Sequence, residues 1–265
     1  MYKSYYSLKS IPFAKENNRL YENNNTLTFK SQFTDLANSG GIGLLTGDSG
    51  SGKTSAIRYS VNQLNPHIYK IFYISESHFT NYDIYRQMGT LMGVTIPHRF
   101  AELWRSIKEH IKSLVEVKSH KVIIIIDEAQ NLRNDFLKNF PAFLNYEYDA
   151  RDMLTVWFVG LSSLKQKLKQ NDVISLSSRI KVKCNMDIKF DFNSFSSLLE
   201  QEFKSCGCLD NFLSKASIDL LFTATKGNFR VLNNIITESL RIGAHKKEIN
   251  ISDETIIKAI EVLQN

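Results

Sequence analysis

The sequence predicts an α/β domain with a five-stranded, mostly parallel sheet, followed by a smaller helical domain. Three observations carry this reading. Short apolar, β-branched or aromatic runs alternate with amphipathic segments up to about residue 188, the order that produces parallel sheets. After Phe190 only helical periodicity remains. Two of the runs end in a glycine-rich turn and an Asp-Glu pair, residue types suited to the carboxyl edge of such a sheet, where ligands bind. The division is therefore placed at 188/189, giving domains 1–188 and 189–265.

Each element follows from local pattern. Tyr2 to Thr28 is polar and Asn-rich around one apolar knot, Ile11-Pro12-Phe13, and reads as an irregular arm that packs on a domain. Phe29, Phe33 and Leu36 recur at helical spacing until Gly40-Gly41 stops them. Ile42 to Leu45 is a buried strand, and a helix runs from Lys53 to about Leu64, closed by Asn65-Pro66. Tyr69 to Ser75 is the second strand. Thr80-Asn81-Tyr82-Asp83 has the capping-box pattern and opens a helix to about Met92. Phe100 to Val117 places Leu103, Trp104, Ile107, Ile111, Leu114 and Val115 on one helical face.

Val122 to Ile126 is the third strand; helical spacing then returns from Asp135 to Tyr146, with Pro141 as a kink. Leu154 to Val159 is the fourth strand, Leu164 to Leu168 a short helix, and Ile180 to Met186 a fifth, edge-like strand. The helical part contributes segments at about 193–205, 214–225, 229–243 and 252–263, punctuated by Gly227 and Gly243.

Composition excludes several classes. Of 265 residues, 43% are apolar and 23% charged, which is ordinary globular usage and not that of a disordered or collagen-like chain. The net charge of +6 permits contact with nucleic acid or anionic lipid without demanding it. Cys184, Cys206 and Cys208 are too few for a disulfide framework and lack metal-ligand spacing, so they read as reduced thiols. The N-terminus has no apolar signal region, and the purest apolar run, Val122 to Ile126, is far below the roughly 20 residues of a membrane helix. A cytoplasmic protein with no membrane partner is expected.

The chemistry is carried by Gly47-Asp48-Ser49-Gly50-Ser51-Gly52-Lys53-Thr54, a complete P-loop between strand and helix. Its glycines let successive backbone N–H groups curl around a phosphate. The helix beginning at Lys53 aims its positive end at the same anion, with Ser55 just inside it. Lys53 reaches the β- and γ-phosphates of ATP, and the Thr54 hydroxyl is an oxygen ligand for Mg2+. The third strand delivers Asp127-Glu128 to the same edge. Asp127 is the expected Mg2+ partner and Glu128 the general base that polarises the attacking water.

With these motifs in place, the chain resembles AAA+ ATPases, and among them the ExeA-like group close to the TniB, TnsC and IstB transposition helpers. The resemblance rests on Ile11-Pro12-Phe13, the GIGLLTGDSGSGKT block from Gly41 to Thr54, IIIIDEAQNL from Ile123 to Leu132, LNYEYDARDMLTVWFVG from Leu144 to Gly160, SSRI from Ser177 to Ile180, and KGNFRVLNN from Lys226 to Asn234. It implies that Arg179 is an arginine finger acting on a neighbouring subunit's nucleotide, which makes the active unit a homo-oligomer, a ring or filament. It also implies that Arg230 is the lid arginine called sensor 2, coupling nucleotide state to lid position, and that the arm around Pro12-Phe13 covers the adenine. One departure stands out: the family has a polar residue after the Val-Gly that ends the fourth strand, whereas Leu161 stands here, followed by Ser162 and Ser163.

The function implied is an ATP-hydrolysing protein that assembles on double-stranded DNA and regulates a transposase. His98 and Arg99 before the long helix, and Arg133 and Lys138 after the Asp-Glu pair, are the candidate phosphate-backbone contacts. The alternatives are an ExeA-like ATPase assisting secretion-system assembly and an ATP-gated switch with little hydrolysis. Relatives of the export type carry a membrane segment and a peptidoglycan-binding domain after the ATPase; ending at Asn265, this chain is expected to serve the first role.

Overall fold

The computed structural model describes residues 2–14, 17, 24–75, 80–146, 152–186, 191–208 and 212–264. In chain order, helices α1 (Tyr2–Tyr5) and α2 (Asn24–Ser39) precede strand β1 (Gly41–Thr46), helix α3 (Lys53–Asn62) and strand β2 (Tyr69–Ile74). Helices α4 (Asn81–Met92) and α5 (Phe100–Glu116), strand β3 (Lys121–Ile126), helix α6 (Asn134–Leu144) and strand β4 (Leu154–Gly160) follow. Short helices α7 (Ser163–Lys167) and α8 (Ile174–Ser177) lead to strand β5 (Ile180–Asn185). The remainder is α9 (Phe192–Ser205), α10 (Lys215–Thr225), α11 (Phe229–Lys246) and α12 (Asp253–Gln264).

The chain forms two compact units, one of Glu22–Asp48 and Ala56–Met186, the other of Met1–Tyr21, Ser49–Ser55 and Asp187–Asn265. The linear boundary expected at 188/189 falls at 187–190, outside the described residues.

In the sheet unit the strand order is β2-β3-β4-β1-β5, and every pairing is parallel. β1, β3 and β4 are buried almost throughout, which is why they read as continuous apolar runs instead of alternating ones. Ile124, Ile126, Val156 and Phe158 share a core with Ile84 and Met88 of α4, Leu103 and Ile107 of α5, and Phe136 and Phe140 of α6. Trp157 lies between Phe29 and Phe33 of α2, with ring centroids 5.2 and 5.5 Å away. Room for that indole comes from Gly43 on the adjacent strand, where an added Cβ would lie 2.5 Å from a ring carbon. β5, at the sheet edge, alternates Lys181 and Lys183 outward, a charge pattern that opposes edge-to-edge pairing.

In the helical unit α9 to α12 share one core with Leu8 of the arm. Asp191, Ser214 and Asn228 cap α9, α10 and α11 through backbone N–H groups of the first turn.

Two expectations need correction. The arm is not irregular throughout: residues 2–5 form α1, and α2 begins at Asn24, so residues 24–28 are helical. Gly243 does not end α11, which continues to Lys246. Instead an added Cβ there would lie 2.4 Å from the Tyr6 hydroxyl, so the glycine admits the arm against the helix. Residues 171–177, where sequence pattern predicts no element, form a short 3-10 turn and α8.

Candidate nucleotide site

β1 ends at Thr46, and Gly47 follows at the carboxyl edge of the sheet, its N–H donating to the Gly160 carbonyl at 3.3 Å. Beyond Asp48 the loop turns through Gly50 (φ +79°) and Gly52 (φ +89°), a left-handed region that side chains disfavour. Lys53 is 8% exposed and Ser51 is buried. The Ser51 hydroxyl has no hydrogen-bond partner among the described residues. A buried ammonium and an unsatisfied buried hydroxyl at a helix N-terminus suit a phosphate group. Thr54 and Ser55 are exposed at the start of α3.

Within the same unit the first residues of α11 meet this loop. The Asn228 amide donates to the Ser49 carbonyl at 2.9 Å, and the Phe229 N–H to the Gly50 carbonyl at 3.1 Å. Arg230 Nη1 donates to the Ser49 hydroxyl at 3.1 Å. An added Cβ at Gly50 would lie 2.1 Å from Asn228 Oδ1, so that glycine serves the contact as well as the turn. Sequence reading singled out Arg230 but not Asn228, although the pair Gly227-Asn228 before a helix is the available signal.

In the sheet unit, buried β3 places Asp127 (3% exposed) at its end. Asp127 Oδ1 accepts from the Glu128 N–H at 2.9 Å, and Oδ2 accepts from the Tyr73 hydroxyl at 2.5 Å. Burial, then that hydrogen bond, push the Tyr73 hydroxyl well above the usual phenol range. Glu128 adopts a left-handed backbone (φ +51°), a cost of the kind found at functional sites. Its Oε2 accepts from Gln130 Nε2 at 2.6 Å. Tyr73 and Gln130 were missed from sequence, since neither partner is predictable from spacing. Among the described residues no group of three or more His, Cys, Asp or Glu is placed to hold a metal. A Mg2+ held by one carboxylate, one hydroxyl and substrate phosphates needs no such group; the one unit offers the Thr54 hydroxyl and the other the Asp127 carboxylate as groups of suitable chemistry.

Arg179 lies in the turn before β5, on a cavity of about 290 Å3 with Gly41, Asp152, Leu154 and Lys181. Lys181 there pairs with Asp152 at 2.6 Å. This is the edge where the strands begin, whereas Asp127 follows the end of β3. Six parallel strand residues, about 3.3 Å each, put roughly 20 Å between the two edges. Of the other expected residues, His98, Arg99, Arg133 and Lys138 are exposed. Three of them are linked through neighbours: Arg133 bonds Asp135 at 3.3 Å, Asn81 bonds Asp135 at 3.0 Å, and Tyr82 bonds the carbonyl of Pro97, next to His98 and Arg99, at 3.0 Å. Arg99 also lies 3.8 Å from Glu102. Of the segment from Leu144 to Gly160, residues 147–151 lie outside the described ones.

A parallel sheet with a P-loop after its first strand and an acidic pair after its third defines a P-loop nucleotide-binding protein. The family described as "AAA domain" matches residues 36–168, about half of the sequence, and the chain belongs to it. General secretion pathway protein A of Aeromonas hydrophila is 24% identical over 256 residues, 93% of this chain and 46% of that protein; the chain spans less than half the length of this relative. Among solved structures, Cdc6p of Pyrobaculum aerophilum superposes with a TM-score of 0.73 at 14% identity, over 97% of this chain and 70% of that one. The Aeropyrum pernix ORC1 protein, in complex with DNA, gives 0.71 at 17% identity over 93% and 66%. The ORC2 protein of the same organism, in its ADP form, gives 0.69 at 13% over 98% and 72%. At these identities the likeness is one of fold. No helix among the described residues is long and apolar enough to cross a membrane.

Proposed function

We propose that this protein binds and hydrolyses ATP and uses the cycle to change its assembly state. The observation that carries this is the pairing of a complete P-loop with Asp127-Glu128 at the end of a buried strand. Lys53 and the loop N–H groups hold the phosphates, and Arg230, already on Ser49, reports their presence to α11. Thr54 and Asp127 would hold Mg2+, which would supply charge neutralisation on the phosphates. Glu128 accepts the proton of the attacking water. Arg179, on the opposite sheet edge from Asp127, acts on the nucleotide of a second copy, which makes the working unit a homo-oligomer.

The output of the cycle has two readings. In the first, the assembly forms on duplex DNA and directs a transposase. The loops bearing Arg133, His98 and Arg99 support it by their shared location, as does the DNA complex of a fold neighbour. In the second, the ATPase assists assembly of an export system, a reading favoured by the relative named for general secretion. Phosphate release measured with and without duplex DNA, at low and high salt, separates them. Stimulation by DNA that disappears in salt is the expected result of the first; no DNA effect transfers the argument to the second. Lys53→Ala should abolish ATP binding, and unchanged affinity would sink the nucleotide assignment.

A further inference from the structure

Leu161 occupies the place where the resemblance calls for a polar side chain beside the attacking water, and the hydroxyl of Ser162, the next polar residue, is buried with no partner among the described residues. A different side chain reaches that position from the other direction. Gln130 accepts the Leu161 N–H on Oε1 at 2.9 Å and donates from Nε2 to Glu128 Oε2 at 2.6 Å. Its amide therefore spans from the end of β4 to the Glu128 carboxylate.

The surroundings hold this amide in one orientation. An amide is asymmetric, so an acceptor at one end and a donor at the other cannot be exchanged without losing both bonds. Gly160 leaves the necessary room: a Cβ there would lie 2.4 Å from Gln130 Oε1. The backbone of Gln130 is held too. The Lys167 ammonium donates to the Gln130 carbonyl at 3.1 Å and also to the Leu132 carbonyl. Burial keeps the Lys167 ammonium below the usual lysine range, as expected of a cation drawn in to satisfy carbonyls.

We infer that Gln130 is a positioning residue for hydrolysis, taking over at Glu128 the task that the residue after β4 performs where that residue is polar. The inference rests on the proposed role of Glu128. The bond from Gln130 to Oε2 restrains the rotation of the carboxylate and favours one direction for its proton-accepting edge. Without it, Glu128 loses one of its restraints, and a base displaced by about 1 Å loses up to about 100-fold in rate. Gly160 and Lys167 are then parts of the same support, one by leaving space and one by fixing the backbone.

The test is a cycle of three variants, Gln130→Ala, Gly160→Ala and the double variant, with kcat, ATP affinity and melting temperature measured on each. Gln130→Ala should lower kcat about ten- to hundredfold, with ATP affinity within about threefold of wild type and a melting temperature lowered by only about 2–4 °C, the cost of one lost hydrogen bond. Gly160→Ala, which displaces the Gln130 oxygen, should reproduce the loss. The double variant should be no worse than the worse single one, because both act through one amide. A kcat for Gln130→Ala within about twofold of wild type overturns the proposal. So do multiplicative losses in the double variant, or a loss of kcat accompanied by lower affinity and a melting temperature lowered by more than about 4 °C, which would make Gln130 a packing residue. Glu128→Gln is the control on the underlying reading. Turnover that depends on Glu128 but ignores Gln130 overturns only this inference, whereas turnover indifferent to Glu128 overturns the hydrolysis assignment and this inference with it.

Discussion

Asn228 performs two tasks that substitution can separate. Its Oδ1 caps α11, accepting the Arg230 and Val231 N–H groups at 3.0 and 3.2 Å, while its Nδ2 donates to the Ser49 carbonyl at 2.9 Å. Asn228→Ala removes both. Loss of the cap alone costs about 1 kcal/mol, and in a chain of this size each 1 kcal/mol lowers the melting temperature by about 2–4 °C. Asn228→Asp keeps the cap, because Asp and Asn cap equally well, but turns the donor into a second acceptor facing the Ser49 carbonyl. The melting temperature should therefore stay near wild type in Asn228→Asp and fall in Asn228→Ala. One net hydrogen bond, about 1 kcal/mol, corresponds to a roughly fivefold weaker ATP affinity, and the new negative charge beside the incoming phosphates acts in the same direction. Thermal melting and ATP titration on the two variants check this. Wild-type ATP affinity in Asn228→Asp would refute the idea that the start of α11 is coupled to the phosphate loop through this side chain.

Other outcomes follow from the same structure. Arg179→Ala should lose turnover while keeping ATP affinity, and mixing it with Glu128→Gln should restore activity, because intact fingers then face intact bases across a subunit boundary; a mixture as inactive as its components rules out action in trans. Gly43→Ala should destabilise the sheet unit by about 1–3 kcal/mol through overpacking against Trp157, read as a lower melting temperature and relieved by Trp157→Phe. Hydrogen bonds from Ser214 and Ser217 hold the Asp253 carboxyl below its ordinary range. Its contribution is thus complete above about pH 4 and is lost as pH falls through the lowered folded value, so Asp253→Asn should show a shallower fall in melting temperature between pH 5 and 3. Arg133→Ala should weaken duplex DNA binding and flatten its salt dependence by about one unit of slope; an unchanged slope removes Arg133 from the DNA-contact set.

Local chemistry made much of this fold legible. β1, β3 and β4 were readable because a strand buried on both faces has to be apolar along its length, as Val122 to Ile126 is, and β2 was readable from its aromatic and β-branched residues. The start of α4 was readable because Thr80 and Asp83 satisfy each other's backbone donors, as the capping-box pattern requires. The start of α3 followed from the P-loop itself. Gly243 was misread for a physical reason. Glycine serves either a backbone turn or a close approach, and sequence cannot tell which until the Tyr6 hydroxyl is seen beside it.

The sequence by itself determined the types of group available: a phosphate loop, an acidic pair at a strand end, and arginines in turns before a strand and at a helix start. Those are properties of spacing within a few residues, where chain geometry leaves little freedom. Tertiary structure alone decided the strand order β2-β3-β4-β1-β5 and the partners of each polar group. Tyr73 meets Asp127 across 54 positions, Gln130 meets Leu161 across 31, and Asn228 meets Ser49 across 179. Such bonds depend on where packed elements bring side chains to within about 3 Å, a distance set by the whole core and written in no local stretch of the chain.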